Sequence, residues 1–107
     1  MKRSREYYEL HAEVCKTFGH PKRLMIISIL MEGEFTVGEI AEQSGIDSSN
    51  LSQHLHILRD KGLVKTRREG TKIFYSLAHL NISKAVNLIS EFLDQRIEKS
   101  HKIISEE

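Results

Sequence analysis

Cysteine, proline and long apolar runs are what this sequence has least of. One cysteine in 107 residues excludes an intramolecular disulfide framework and any all-cysteine zinc knuckle, and it suits a reducing cytoplasm. The longest strongly apolar stretch, residues 24–31, is too short to cross a bilayer and lies too far along the chain for a signal peptide. No internal repeat, low-complexity tract or linker is present. A glycine-rich phosphate loop and an activated nucleophile are also missing. Ser52 and His54 are close in sequence but belong to different faces of one helix. A soluble, cytoplasmic, single-domain protein spanning residues 1–107 is expected, with neither an enzymatic role nor a membrane partner. A chain of this length buries roughly two-thirds of its unfolded surface, so a mainly helical one gains from dimerisation.

Net charge is also nearly absent, at +1 with histidine neutral, which argues against a strongly basic nucleic-acid coat protein. The total hides a cancellation. Residues 1–23 carry a net +3. Residues 24–58 hold Glu32, Glu34, Glu39, Glu42 and Asp47 with no lysine or arginine, a net −5. Residues 59–72 bring Arg59, Lys61, Lys65, Arg67, Arg68 and Lys72 against Asp60 and Glu69, a net +4. A compact positive segment after a negative one suggests a surface with a cationic patch, while a solvated face is the ordinary reading of such a run taken alone.

Apolar spacing predicts a helix over 5–18 through Tyr7, His11, Val14 and Phe18, ended by Gly19. Pro21 suits the first turn of a second helix, read as buried through Leu24, Ile27, Leu30 and Met31. Thr36 with Glu39 forms a capping-box pattern for a third helix over 37–43, and Gly45 supplies a turn. A fourth helix over about 48–61 has Leu51, Leu55 and Leu58 as its apolar stripe and Gly62 as its stop. The period then changes. Residues 63–68 and 71–77 flank Glu69-Gly70 and predict a hairpin, and apolar residues from Ile82 to Ile104 predict a long last helix over 80–105. The fold class is mainly α with a two-stranded β-hairpin wing, a winged helix-turn-helix in the order α-α-α-α-β-β-α.

That order points to double-stranded DNA, because an α-helix fits the major groove, where base edges carry a distinguishable code. The start of the fourth helix is polar: Ser48, Ser49, Asn50, Ser52, Gln53 and His54 are its candidate DNA-binding residues. Short hydroxyls and amides donate to phosphates or bases without the desolvation cost of a carboxylate. His56 points elsewhere and carries less weight. Arg67, Arg68 and Lys72 near the wing turn are the candidate contacts to backbone or minor groove. Arg59 and Lys61 either touch phosphate or complement the helix dipole. Arg23 is expected to cap or to pair with an acid inside the domain.

Three segments carry a family resemblance. Gly19-His20-Pro21-Lys22-Arg23-Leu24 with Phe35-Thr36-Val37-Gly38-Glu39-Ile40-Ala41 resembles the entry to the DNA-binding domain of the ArsR/SmtB family. Ser49-Asn50-Leu51-Ser52-Gln53-His54-Leu55 resembles its recognition helix, and the stretch from Gly62 to Leu77 its wing. The resemblance implies a homodimeric winged-helix repressor of transcription that binds a pseudo-palindromic operator. A non-catalytic winged-helix module that docks on protein is the alternative, since fold alone does not fix function.

The resemblance also implies where metal ligands would stand. Thr36 occupies the place of the family's thiolate, and His79, Asn81, Phe92 and Gln95 fall on its last-helix site, where only His79 is a ligand type. No cofactor is therefore expected. His11 and Cys15, four apart on one helical face, and His101 near the chain end are the residual metal candidates. A lone Cys15 cannot make the two-cysteine switch of redox-sensing relatives, and the inducer stays unassigned. The first and last helices are expected to form the dimer interface through Tyr7, His11, Val14, Phe18, Val86, Ile89, Leu93 and Ile97.

Overall fold

In the computed structural model, which describes residues 2–100, helices pack with a small antiparallel sheet whose outer hairpin is exposed. Helix α1 (Arg5–Phe18) opens where the Ser4 hydroxyl accepts the Tyr7 N–H at 3.1 Å. Helix α2 (Pro21–Leu30) has Pro21 in its first turn and His20 as its cap, with His20 Nδ1 accepting the Lys22 N–H at 3.1 Å. Strand β1 (Phe35–Thr36) leads directly into α3 (Val37–Ser44). The Thr36–Glu39 capping box is complete in both directions, at 3.2 and 2.9 Å. Gly45 ends α3 at φ 77°, a left-handed conformation that a side chain would strain. Helix α4 (Ser48–Asp60), strands β2 (Val64–Glu69) and β3 (Lys72–Leu77), and helix α5 (Leu80–Ser100) complete the chain.

The core forms where the amphipathic faces meet. Ile26, Ile27 and Leu30 of α2, Ile40 of α3 and Leu51, Leu55 and Leu58 of α4 are all buried. Each such side chain, removed from water, contributes about 1.5–3 kcal/mol, and together they fix α4 against α2 and α3. Leu63 and Val64 at the start of β2 and Val86 of α5 extend the cluster.

Four features depart from the expectations. The sheet has three strands in the order β1-β3-β2, because Phe35 and Thr36 pair with Tyr75 and Phe74 and give the hairpin a third, short neighbour. The hairpin register pairs Glu69 with Lys72, so the turn is Gly70-Thr71, one residue later than Glu69-Gly70, with Gly70 at φ 64°. Helix α2 is not buried all round: Leu24 is 40% exposed, and Ile26 takes its place in the core. Val86, expected at a dimer interface, is 9% exposed within its own subunit's core, and Phe18 packs against that same core. The last helix is described to Ser100; the predicted extension to 105 and Ile104 lie outside the described residues.

Candidate nucleic-acid interface

Helices α3 and α4 join through Gly45, Ile46 and Asp47, and the turn is tight because Ile46 plugs into the core while Gly45 supplies the reversal. Asp47 caps α4. Its Oδ1 accepts the Asn50 N–H at 2.9 Å and the Ser49 hydroxyl at 3.0 Å. These bonds, chiefly that from the Asn50 N–H, hold its carboxyl below the usual aspartate range. The cap places a carboxylate at the start of the polar helix and engages the Ser49 hydroxyl.

On α4 the residues sort cleanly by helical period. Ser49, Ser52, Gln53 and His56 share one face and are exposed, with Ser48 exposed at its edge and Asn50 half-buried. Leu51, His54, Leu55 and Leu58 share the opposite face and are buried. The hydroxyl and amide stripe therefore stands away from the core with donors and acceptors available. His56, given little weight from sequence, belongs to that stripe.

His54 corrects the expectation of a DNA contact. It is 8% exposed, its Nδ1 accepts from Arg23 Nε at 3.2 Å, and its ring stands edge-on to His20 with centroids 4.6 Å apart. Burial first, then the positive surroundings of His20, Arg23 and Lys22, push its imidazole below the usual histidine range. The spacing 51, 54, 55, 58 was the available signal, since it puts His54 among three leucines. Among the described residues Arg23 in turn pairs with no acid: beyond His54, its Nη1 reaches the Thr17 carbonyl at 3.4 Å.

The wing divides its arginines. Arg67 is held by Glu34 and Glu69, with Nη2 2.9 Å from Glu34 Oε1 and Nη1 3.0 Å from Glu69 Oε1, and these partners bind its proton more firmly still. The expected free backbone contact at this position is thus a tether from the outer half of the hairpin to Glu34. Arg68 and Lys72 are exposed beside the Gly70-Thr71 turn, and among the described residues neither takes part in an ion pair.

Away from α4 and the wing, α1 and α5 leave apolar side chains in solvent: Tyr7, Tyr8, Leu10 and Val14 on one, and Leu88, Ile89, Phe92 and Leu93 on the other. Ile97 is half-buried. A groove of about 230 Å³ runs between them, lined by Cys15, Phe18, Leu24, Val86, Ile89 and Leu93, among others. Tyr8, Leu10, Leu88 and Phe92 were not among the expected interface residues. His11 is exposed on α1 with its ring 6.0 Å from that of Tyr7, and Cys15 is an exposed free thiol. Among the described residues no three His, Cys, Asp or Glu side chains cluster as metal ligands; His101 lies outside them. Among the same residues no helix is long and apolar enough to cross a membrane.

The family model described as bacterial regulatory protein, arsR family, matches residues 20–66, from the α2 cap into β2. The chain is 46% identical over 78 residues to the biofilm growth-associated repressor of Xylella fastidiosa, covering 73% of this chain and 68% of that protein. The crystal structure of Rv0081 from Mycobacterium tuberculosis superposes with a TM-score of 0.83 at 37% identity, covering 91% of this chain and 98% of the other. The solution structure of the homodimeric winged helix-turn-helix DNA-binding domain of a possible ArsR-family regulator from Mycobacterium bovis gives 0.82 at 30% identity, covering 95% and 96%.

Proposed function

The chain belongs to the arsR family of bacterial regulatory proteins, and we propose on that premise that it represses transcription as a homodimer bound to a pseudo-palindromic operator. It is a DNA-binding transcriptional regulator with a winged helix-turn-helix. In the proposed complex α4 lies in the major groove, with Ser48, Ser49, Asn50, Ser52 and Gln53 toward bases and phosphates and His56 beside them. Arg68 and Lys72 of the wing meet backbone or minor groove, with Arg67 supporting the wing from behind. The role is non-catalytic and cytoplasmic.

The observation that carries this reading is the division of α4 into a buried leucine face and an exposed hydroxyl and amide face, next to a cationic hairpin tip. The apolar faces of α1 and α5 support the dimer, since exposed apolar area on this scale marks an interaction surface. Two-fold symmetry then presents two copies of α4 to half-sites about one helical turn apart.

Selection of duplexes from a random-sequence pool, followed by mobility shifts across a salt series, tests the proposal. A two-fold symmetric motif and an affinity that falls steeply with salt are expected. Enrichment without a motif, with capture of proteins instead, would favour the interaction-module reading.

A further inference from the structure

Arg23 touches two elements at once. From α2, its Nε donates to His54 Nδ1 on α4 at 3.2 Å, while Nη1 donates to the Thr17 carbonyl in the last turn of α1 at 3.4 Å. Neither group belongs to the exposed stripe of α4. A guanidinium has only donors, so His54 must offer a lone pair at Nδ1, which assigns the proton of the neutral ring to Nε2. An imidazolium carries N–H at both nitrogens. Protonation would therefore set N–H against N–H and add a charge facing Arg23, Lys22 and the edge-on His20 ring, all from α2 or its cap. The second tie between α1 and α4, Lys61 to Glu13 at 3.3 Å, is a surface pair and holds the two helices weakly.

Resting on the reading of α4 as the DNA-facing helix, we propose that Arg23 is a positioning residue for DNA recognition: it joins α1 to α4 through the neutral imidazole of His54, and a proton on His54 breaks that joint, shifts α4 on its leucine face and weakens operator binding. The arrangement makes operator affinity sensitive both to proton concentration and to the placement of α1. His54 reads pH from inside the fold, without contact to DNA.

The test measures affinity for the selected duplex between pH 7.5 and 5.5 with full-length protein, confirmed folded at both by circular dichroism. Relative to His54→Asn, whose Oδ1 keeps an uncharged acceptor in place of Nδ1, the wild type is expected to lose affinity by less than about tenfold across that range, with the fall still steepening at its acid end because the ring titrates below the usual histidine range. Taking the ratio cancels titration of the other histidines. Arg23→Lys, which retains the charge but cannot span both acceptors, is expected to weaken binding about tenfold at pH 7.5 and to flatten the profile. Should the variants fold poorly, NMR titration of the His54 ring in the wild type serves instead, with a lower titration midpoint expected in the DNA complex than in free protein. Parallel pH profiles, or equal midpoints free and bound, overturn this proposal while leaving selective DNA binding intact. Absence of any sequence-selective binding by the wild type at pH 7.5 overturns the DNA reading and this proposal with it.

Discussion

Arg67 Nε donates to both carboxylate oxygens of Glu34, at 2.9 and 3.0 Å, and so tethers the wing to the segment that leads from α2 into β1. The Glu34 carboxyl is held below its usual range, chiefly by this bond. The Arg67 guanidinium also lies 4.7 Å over the ring of Phe74, its direct cross-strand partner, while Nη1 binds Glu69. Two carboxylates, one of them Glu69 opposite Lys72 at the tip, offset the Arg67 charge. The positive potential of the tip therefore rests on Arg68 and Lys72, although the sequence places all three cations in one run.

Salt dependence separates these roles. Arg68→Ala and Lys72→Ala are each expected to reduce the slope of log affinity against log salt by about 1. Arg67→Ala is expected to leave that slope unchanged and to lower the thermal midpoint instead. Fluorescence anisotropy on the selected duplex at several salt concentrations reads the slope, and a loss at Arg67 equal to that at Arg68 would assign it a phosphate.

Asp47 is in tension between folding and binding. Its carboxylate caps α4, yet it is a negative charge at the helix end proposed to meet DNA. Asp47→Asn, which keeps a capping oxygen, is expected to preserve the melting temperature near neutral pH and to tighten DNA binding most at low salt. Asp47→Ala should lower the melting temperature. The folded carboxyl titrates below its unfolded value of 3.8, so the cap's contribution is complete above that pH and is lost as pH falls through the folded value. Acid titration followed by circular dichroism should show this component in the wild type and not in Asp47→Asn.

Most of the fold was legible because the signals were local and repeated. The Thr36–Glu39 box, the glycine stops and the 51/55/58 leucines place α3 and α4 within a residue or two of their observed ends. Strand β1 was not legible, since two residues carry no period and pair only because β3 lies alongside. Within the candidate site, side chains whose role is set by distant partners were misread. His54 looks like its polar neighbours until Arg23, 31 residues away, claims its Nδ1, and Arg67 looks like Arg68 until Glu34 is beside it. Long-range ion and hydrogen-bond pairing leaves no trace in local spacing, whereas the leucine face that contains His54 did.

Leu55 tests how closely the DNA-facing stripe depends on the core beneath it. The side chain is 1% exposed within the core cluster, and Leu55→Ala removes it without touching the exposed face. A loss of about 2–5 kcal/mol is expected, which is a large fraction of the total for a domain of this size. Urea unfolding measures it. A loss below 1 kcal/mol would mean that α4 is held mainly by other contacts.

Association and folding draw on different residues of α5. Val86 points into its own subunit's core, whereas Phe92, 65% exposed, and Ile89, 67% exposed, contact little of it. Val86→Ala is therefore expected to destabilise each subunit by roughly 0.5–3 kcal/mol while leaving the folded protein dimeric. Paired substitution of Ile89→Glu and Phe92→Glu is expected to do the reverse: helical content stays, and sedimentation velocity shows a monomer, because carboxylates buried against a second copy would go unpaired. Operator affinity should then fall by well over the loss of any single polar contact on α4, since one subunit engages only one half-site. A double variant that still sediments as a dimer would move the interface off this face of α5. The apolar residues of α1, Tyr8 and Leu10 among them, would then have to carry association alone.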